Sequence, residues 1–143
     1  MRTPGAANLV EHVLPRVPLR QWVFTFPFQL RARLGFDGKL LGGVTRIFED
    51  SVLGWYRRRL RTSPGERALS GAVVAMQRAS SDLKLNPHLH AVFLDGVYAA
   101  TSDGSLEFRT LPRLSTTDVA DVLQIARARI LRYLERRGVI ASR

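Results

Sequence analysis

Cysteine is absent from the 143-residue chain, which excludes a disulfide scaffold, a thiol nucleophile and every zinc site built on thiolates. Any metal ion must then be held by His, Gln, Asp or Glu. Lysine is nearly absent as well: Lys39 and Lys84 are the only two among 22 basic residues, so 20 are Arg. No apolar run approaches the roughly 18 residues of a membrane span, and Met1-Arg2-Thr3-Pro4-Gly5 leads into no signal-type stretch. No internal repeat or low-complexity tract is present. These absences lead us to expect a soluble, cytoplasmic protein with no membrane partner. Acidic residues are also scarce, 12 against the 22 basic ones, for a net charge of +10.

What is present suffices for a packed domain. At 45% hydrophobic residues the chain is too apolar to be disordered, and at this length roughly 65–70% of the unfolded surface can be buried without staples. The positive excess creates a field that attracts polyanions, of which nucleic acid is the commonest in a cell. Arginine suits bidentate phosphate contacts, although a high Arg-to-Lys ratio also follows from genome base composition.

Residues 1–18 read as an N-terminal arm or linker remnant. Leu9, Val10, Val13 and Leu14 have helical spacing, and Pro15 and Pro18 stop it. Arg20 to Phe26 alternates, with Trp22, Phe24 and Phe26 on one face and Gln21, Val23 and Thr25 on the other, and predicts a strand. Gly38 to Arg61 carries the stripe of an amphipathic helix in Leu40, Leu41, Val44, Ile47, Phe48, Val52, Trp55, Tyr56 and Leu60, weakened by Gly42, Gly43 and Gly54. It ends in Arg57, Arg58, Arg59 and Arg61. Those cations read either as a dipole-matched helix end or as a patch that contacts phosphates.

Gly71 to Arg78 and Pro87 to Leu94 predict two strands paired as a hairpin. Val97 to Ala100 and Ser105 to Arg109 predict a shorter one. A last helix starts at the cap Ser115 with Asp118 at its third position, buries Val119, Val122, Leu123, Ala126, Ile130, Tyr133 and Leu134, and stops at Gly138. The order strand, helix, strand, strand, hairpin, helix predicts an α+β fold. Its helices would pack on one face of a mostly antiparallel sheet, in the split βαβ, RRM-like or ferredoxin-like manner.

Two of the three histidines are His88 and His90. Residues two apart on a strand share a face, so both imidazoles project side by side, which is half of a divalent metal site or simply a solvated polar face. A turn centred near residues 82 and 83 would set Gln77 opposite His88, as a third ligand or as an ordinary hydrogen-bonding strand residue. A His, His, Gln set with open positions suits Mg²⁺ or Mn²⁺. Asp82 and Asp95 read as turn residues.

His88-Leu89-His90 has the His-hydrophobe-His form of the HUH endonuclease superfamily. The block Leu85-Asn86-Pro87-His88-Leu89-His90-Ala91-Val92-Phe93-Leu94-Asp95-Gly96-Val97-Tyr98 resembles the two-tyrosine, rolling-circle transposases of bacterial insertion sequences, as do Glu11 to Val23 and the Gln77-Arg78 pair. The resemblance runs from about residue 8 to about residue 140. It implies that residues 19–143 form an HUH nuclease-like core. A metal on His88 and His90 would polarise a phosphate of single-stranded DNA at the element ends, and a tyrosine would attack it to leave a phosphotyrosine. DNA would be contacted by Arg57, Arg58, Arg59, Arg61 and Arg78.

The sequence departs from that pattern in two places. The family's Cys-rich zinc module has no counterpart, and the only tyrosine beyond the histidine strand and its turn is Tyr133, which lies on an apolar stripe and reads as a core residue. The expectation is therefore an incomplete core, truncated at both ends and lacking the tyrosine helix, that binds metal and single-stranded DNA for strand nicking and transfer in transposition but does not nick alone. The alternative is a non-catalytic RRM-like module that stacks single-stranded bases on Trp22, Phe24 and Phe26. A third reading, an unrelated metal-dependent phosphoesterase, lacks acidic residues for a general base or second metal.

Overall fold

The computed structural model describes residues 15–61, 66–79 and 82–142. The helical spacing expected in the arm therefore lies outside the described residues. The first element is the expected strand, β1 (Leu19–Thr25). Helix α1 (Phe28–Phe36) follows and was not legible in the sequence, because it has no side-chain cap and no acidic first turn to mark its start. Tertiary packing holds it: Leu34 and Gly35 are buried, and a side chain at position 35 would run into Leu85.

Helix α2 (Gly38–Leu60) begins at Asp37, whose carboxylate accepts the Leu40 N–H at 3.0 Å and satisfies one of the orphan donors of the first turn. One of the glycines that weaken it by propensity has a packing role. Gly43 leaves room for the Tyr133 hydroxyl, which a Cβ there would overlap.

β3 (Ala72–Ala79) and β4 (Leu85–Leu94) form the expected hairpin. β4 is central, antiparallel to both β1 and β3, so β1 and β3 run parallel and the intervening helices make a split βαβ unit. One sheet was expected, but the strands divide into two. β2 (Ala68–Leu69), β5 (Gly96–Ala100) and β6 (Leu106–Thr110) form a second antiparallel sheet in the order β2-β5-β6. Both hydrogen-bonding edges of β5 are thereby occupied, so β5 cannot extend the first sheet. Gly96 permits this, since a side chain there would collide with the Arg109 carbonyl on β6.

A single residue, Asp95, separates β4 from β5 and pins the corner. Its N–H donates to the Pro18 carbonyl and its carbonyl accepts the Leu111 N–H, both at 2.8 Å.

Burial along β4 alternates, with Leu89, Ala91 and Phe93 fully buried. They face α2, whose Phe48 stacks on Phe24 at 4.8 Å and meets Phe93 edge-on at 6.2 Å. Trp22 donates Nε1–H to the Tyr56 hydroxyl at 2.9 Å, and Phe26 is buried. All three strand aromatics therefore belong to the core and offer no platform for bases.

Helix α3 (Thr116–Arg136) packs beside α2 through Val122, Ala126, Ile130 and Leu134. The expected Val119 and Leu123 are instead exposed. The start is a capping box between Ser115 and Asp118. The end is a Schellman turn in which Val139 N–H reaches the Leu134 carbonyl at 2.9 Å and Gly138 takes φ +70°.

The backbone N–H of Ser115 holds the Asp118 carboxyl below the usual carboxylate range, with smaller help from the Ser115 hydroxyl and Arg59. A depressed acid stabilises the fold above its unfolded value, and that stability is lost as pH falls through the folded value. Asp118→Asn, which removes the charge that the Ser115 N–H holds, is therefore expected to destabilise the fold at pH 7, with a deficit that shrinks below about pH 4. Urea denaturation at pH 7 and pH 3 reads both.

Candidate metal and nucleic-acid face

The alternation that buries Leu89, Ala91 and Phe93 sends His88 and His90 to the opposite face of the first sheet. Among the described residues no helix covers that face. Its exposed residues include Gln21, Val23 and Thr25 from β1 and Ala75 and Gln77 from β3. The His88 and His90 rings lie side by side, centroids 4.9 Å apart at 66°. Gln77 pairs directly opposite His88, where the turn at residues 82 and 83 was expected to put it.

Each imidazole has a partner on Nδ1. That of His88 lies 2.8 Å from the Asn86 carbonyl. A carbonyl only accepts, so Nδ1 carries the proton and Nε2 keeps its lone pair. Anchoring of the non-ligating nitrogen by a backbone oxygen is the usual arrangement around metal-binding histidines.

The Nδ1 of His90 lies 3.4 Å from the Gln21 amide nitrogen. As placed, the amide N–H donates to Nδ1, so a neutral His90 ring carries its proton on Nε2. The amide turned by 180° would accept from Nδ1–H and leave Nε2 its lone pair, so the orientation of Gln21 selects the His90 tautomer. Its outward position was legible in the alternation of β1. Its neighbour was not, because only register places Val23 opposite His90 and Gln21 two residues on.

Among the described residues no group of three His, Cys, Asp or Glu side chains is placed to hold a metal ion. A side-chain amide oxygen is another donor type, and Gln77 lies across the strand pair from His88. Its NH₂ donates to the Ala79 carbonyl at 3.1 Å, at the bulge that ends the β3–β4 register. The donor chemistry of two imidazoles and one amide oxygen fits a divalent cation that keeps open positions for phosphate oxygen. The Asn86 side-chain oxygen beside this face is buried without a partner.

The three tyrosines, none of them a convincing nucleophile in the sequence and Tyr133 only a weak candidate, lie elsewhere. Tyr133 is half-buried on α3 against Gly43 of α2, on the helical side of the sheet and away from the histidines. Tyr56 is fully buried, and burial pushes its hydroxyl up to about 12. Tyr98 meets Phe108 edge-on in the second sheet. None of the three shares the histidine face.

The arginines proposed for DNA do not form one patch. The Arg78 guanidinium lies 3.5 Å from where a Gly38 side chain would begin, at the start of α2. Arg57, Arg58 and Arg59 close its last turn, and Arg61 follows it. At about 1.5 Å per residue the two ends are roughly 30 Å apart. Arg59 is also engaged, over the Trp55 ring at 5.6 Å and 3.9 Å from Asp118.

Asp95 is more than a turn residue. It accepts two hydrogen bonds from Arg20, at 2.6 and 3.0 Å. The segment with Asp82 remains a turn, its carboxylate accepting the Lys84 N–H at 3.3 Å.

The fold and site define an α+β protein with a paired-histidine sheet face. No family model, curated protein or solved structure matches the chain. No helix among the described residues is long and apolar enough to cross a membrane.

Proposed function

We propose that the histidine face binds Mg²⁺ or Mn²⁺ through Nε2 of His88 and His90 and the side-chain oxygen of Gln77, and presents the ion to a phosphodiester of single-stranded DNA. This is the binding half of an HUH-type transposase reaction, strand nicking and transfer in DNA transposition. The observation that carries it is the anchoring of His88 Nδ1 on the Asn86 carbonyl, with His90 beside it and Gln77 across the strand pair. The strand order β1-β4-β3 with helices on one face agrees with a ferredoxin-like HUH core.

When bound, the cation supplies Lewis-acid polarisation of a phosphate oxygen. The chain's own residues hold and orient it. The Asn86 carbonyl sets the His88 tautomer, Gln21 turned with its oxygen toward Nδ1 would do the same for His90, and the face, open among the described residues, leaves room for an extended strand. No tyrosine is positioned to attack, so the chain is expected to bind without forming a DNA adduct.

Calorimetric titration with Mn²⁺ tests the site. His88→Ala with His90→Ala is expected to remove binding, and Gln77→Ala to weaken it about tenfold or more. Unchanged affinity in the double variant would sink the assignment. A chelator should weaken binding of a labelled single strand, and a covalent adduct at any tyrosine would show that a nucleophile reaches the site.

A further inference from the structure

The seam between α2 and α3 carries a second cluster of charge that the histidine face does not use. The helices run antiparallel there. Arg129, Arg132 and Arg136 of α3 and Ile47 of α2 line a pocket of about 170 Å³, too small for a drug-sized ligand.

The cluster has a built foundation. Arg129 donates Nη1–H to the Ser51 hydroxyl at 3.0 Å. Ser51 is 1% exposed and donates in turn to the Ile47 carbonyl at 2.6 Å. A guanidinium held by a buried hydroxyl has already lost much of its rotamer freedom, so less is lost when it binds.

Ion pairs formed between described residues include Arg20–Asp95, Arg59–Asp118, Lys84–Asp82 and Arg109–Glu66. None includes the three seam arginines. Asp50, the acidic neighbour of Ser51 on α2, pairs with none of them.

Three like charges kept together without a counter-ion repel one another, and an anion relieves that repulsion. Positions 129, 132 and 136 span seven residues, about 10 Å along the helix. That is the axial length of about three phosphates on one nucleic-acid strand. Farther along the same seam Arg58 lies over Gly54 and lines the next pocket with Trp55, Arg59 and Asp121. Asp121 and the Asp118 partner of Arg59 offset the positive charge there, so the cationic row is confined to Arg129, Arg132 and Arg136.

We propose that Arg129, Arg132 and Arg136 form a sequence-independent binding site for the phosphodiester backbone of nucleic acid. The sheet separates this site from the histidine face, so it needs no metal and does not rest on the function proposed for that face. Guanidinium pairs with phosphate bidentately, which fits the near-exclusive use of Arg in this chain.

The test is fluorescence anisotropy of a fluorescein-labelled 20-base-pair duplex of random sequence in EDTA, from 50 to 200 mM NaCl. Arg129→Gln/Arg132→Gln/Arg136→Gln is expected to lower affinity about 100-fold and to reduce the salt slope by about 2.7, which is 0.9 for each lost contact. The charge-matched control Arg33→Gln/Arg67→Gln/Arg113→Gln changes exposed arginines elsewhere and should stay within about threefold.

Equal losses in the two triples would overturn the proposal, since general charge would then explain the binding. So would a seam triple that binds like the unaltered protein, or vesicles of anionic phospholipid bound in preference to the duplex. Circular dichroism of the seam triple shows whether the fold survives. If it does not, Arg132→Gln alone, at an exposed position, must lower the slope by about 0.9.

Discussion

Phe48→Ala is expected to cost about 4 kcal/mol of folding stability. Phe48 is 2% exposed, is stacked on Phe24 and set edge-on to Phe93, and so joins α2 to two strands of the first sheet at once. Truncation removes the transfer free energy of the ring. It also leaves a cavity whose walls belong to different elements and cannot easily close on it.

A domain of this size has about 5–15 kcal/mol in all, so the variant keeps only part of its margin. Its melting temperature should fall by roughly 8–16 °C. Val23→Ala is the matched control on the outer face of the same sheet, where the side chain is 53% exposed. It should stay within about 0.5 kcal/mol. If Phe48→Ala cost as little as Val23→Ala, the packing of α2 against the sheet described above would be wrong.

The second large effect is expected at the corner between the two sheets. Asp95 is 9% exposed, and its two bonds to Arg20 are a forked carboxylate–guanidinium pair. Losing one partner of a fully buried pair costs about 3–5 kcal/mol, while exposed pairs are worth little. The Arg20 side chain is 30% exposed, so water reclaims part of its charge, and Asp95→Ala is expected to cost about 2–3 kcal/mol. A cost below about 1 kcal/mol by urea denaturation would mean that the pair behaves as a surface one.

Tyr56 gives the same corner a spectroscopic readout. Burial is the main reason its hydroxyl is pushed up to about 12, the Trp22 hydrogen bond opposes this, Asp95 adds to the rise and Arg20 opposes it. A raised acid means the folded state holds a proton that the unfolded state has released. That stability is complete below about pH 10 and is lost as pH rises through about 12. Asp95→Asn removes one raising charge and keeps Arg20, so the Tyr56 titration followed by ultraviolet absorbance should move to lower pH. No movement would place the carboxylate too far away to act.

The elements with a strong periodic signal were legible in the sequence because their chemistry is local. The aromatic alternation of β1, the stripe of α2 and the cap at Ser115 each needed only neighbouring residues to be read. The weak elements, α1 and the two-residue β2, have no such signal and are held by contacts with distant chain. Legibility of the candidate site divided the same way. Period-two geometry put His88 and His90 on one face and a short turn put Gln77 across from His88. The partners that orient the imidazoles, Gln21 and the Asn86 carbonyl, depend on register and on backbone geometry.

Charge shows the contrast most clearly. Sequence by itself determined that this protein carries a +10 excess, almost all of it Arg, that no thiol chemistry is open to it, and that two imidazoles share a strand face. Only the tertiary structure decided where the arginines work. Arg57 to Arg61 and Arg78, all expected to contact DNA, are held at opposite ends of a long helix. Arg129, Arg132 and Arg136, an ordinary solvated helix face when read along the chain, come together over α2 without a counter-ion. Charges act through space, and only packing sets the distances between residues far apart in the chain.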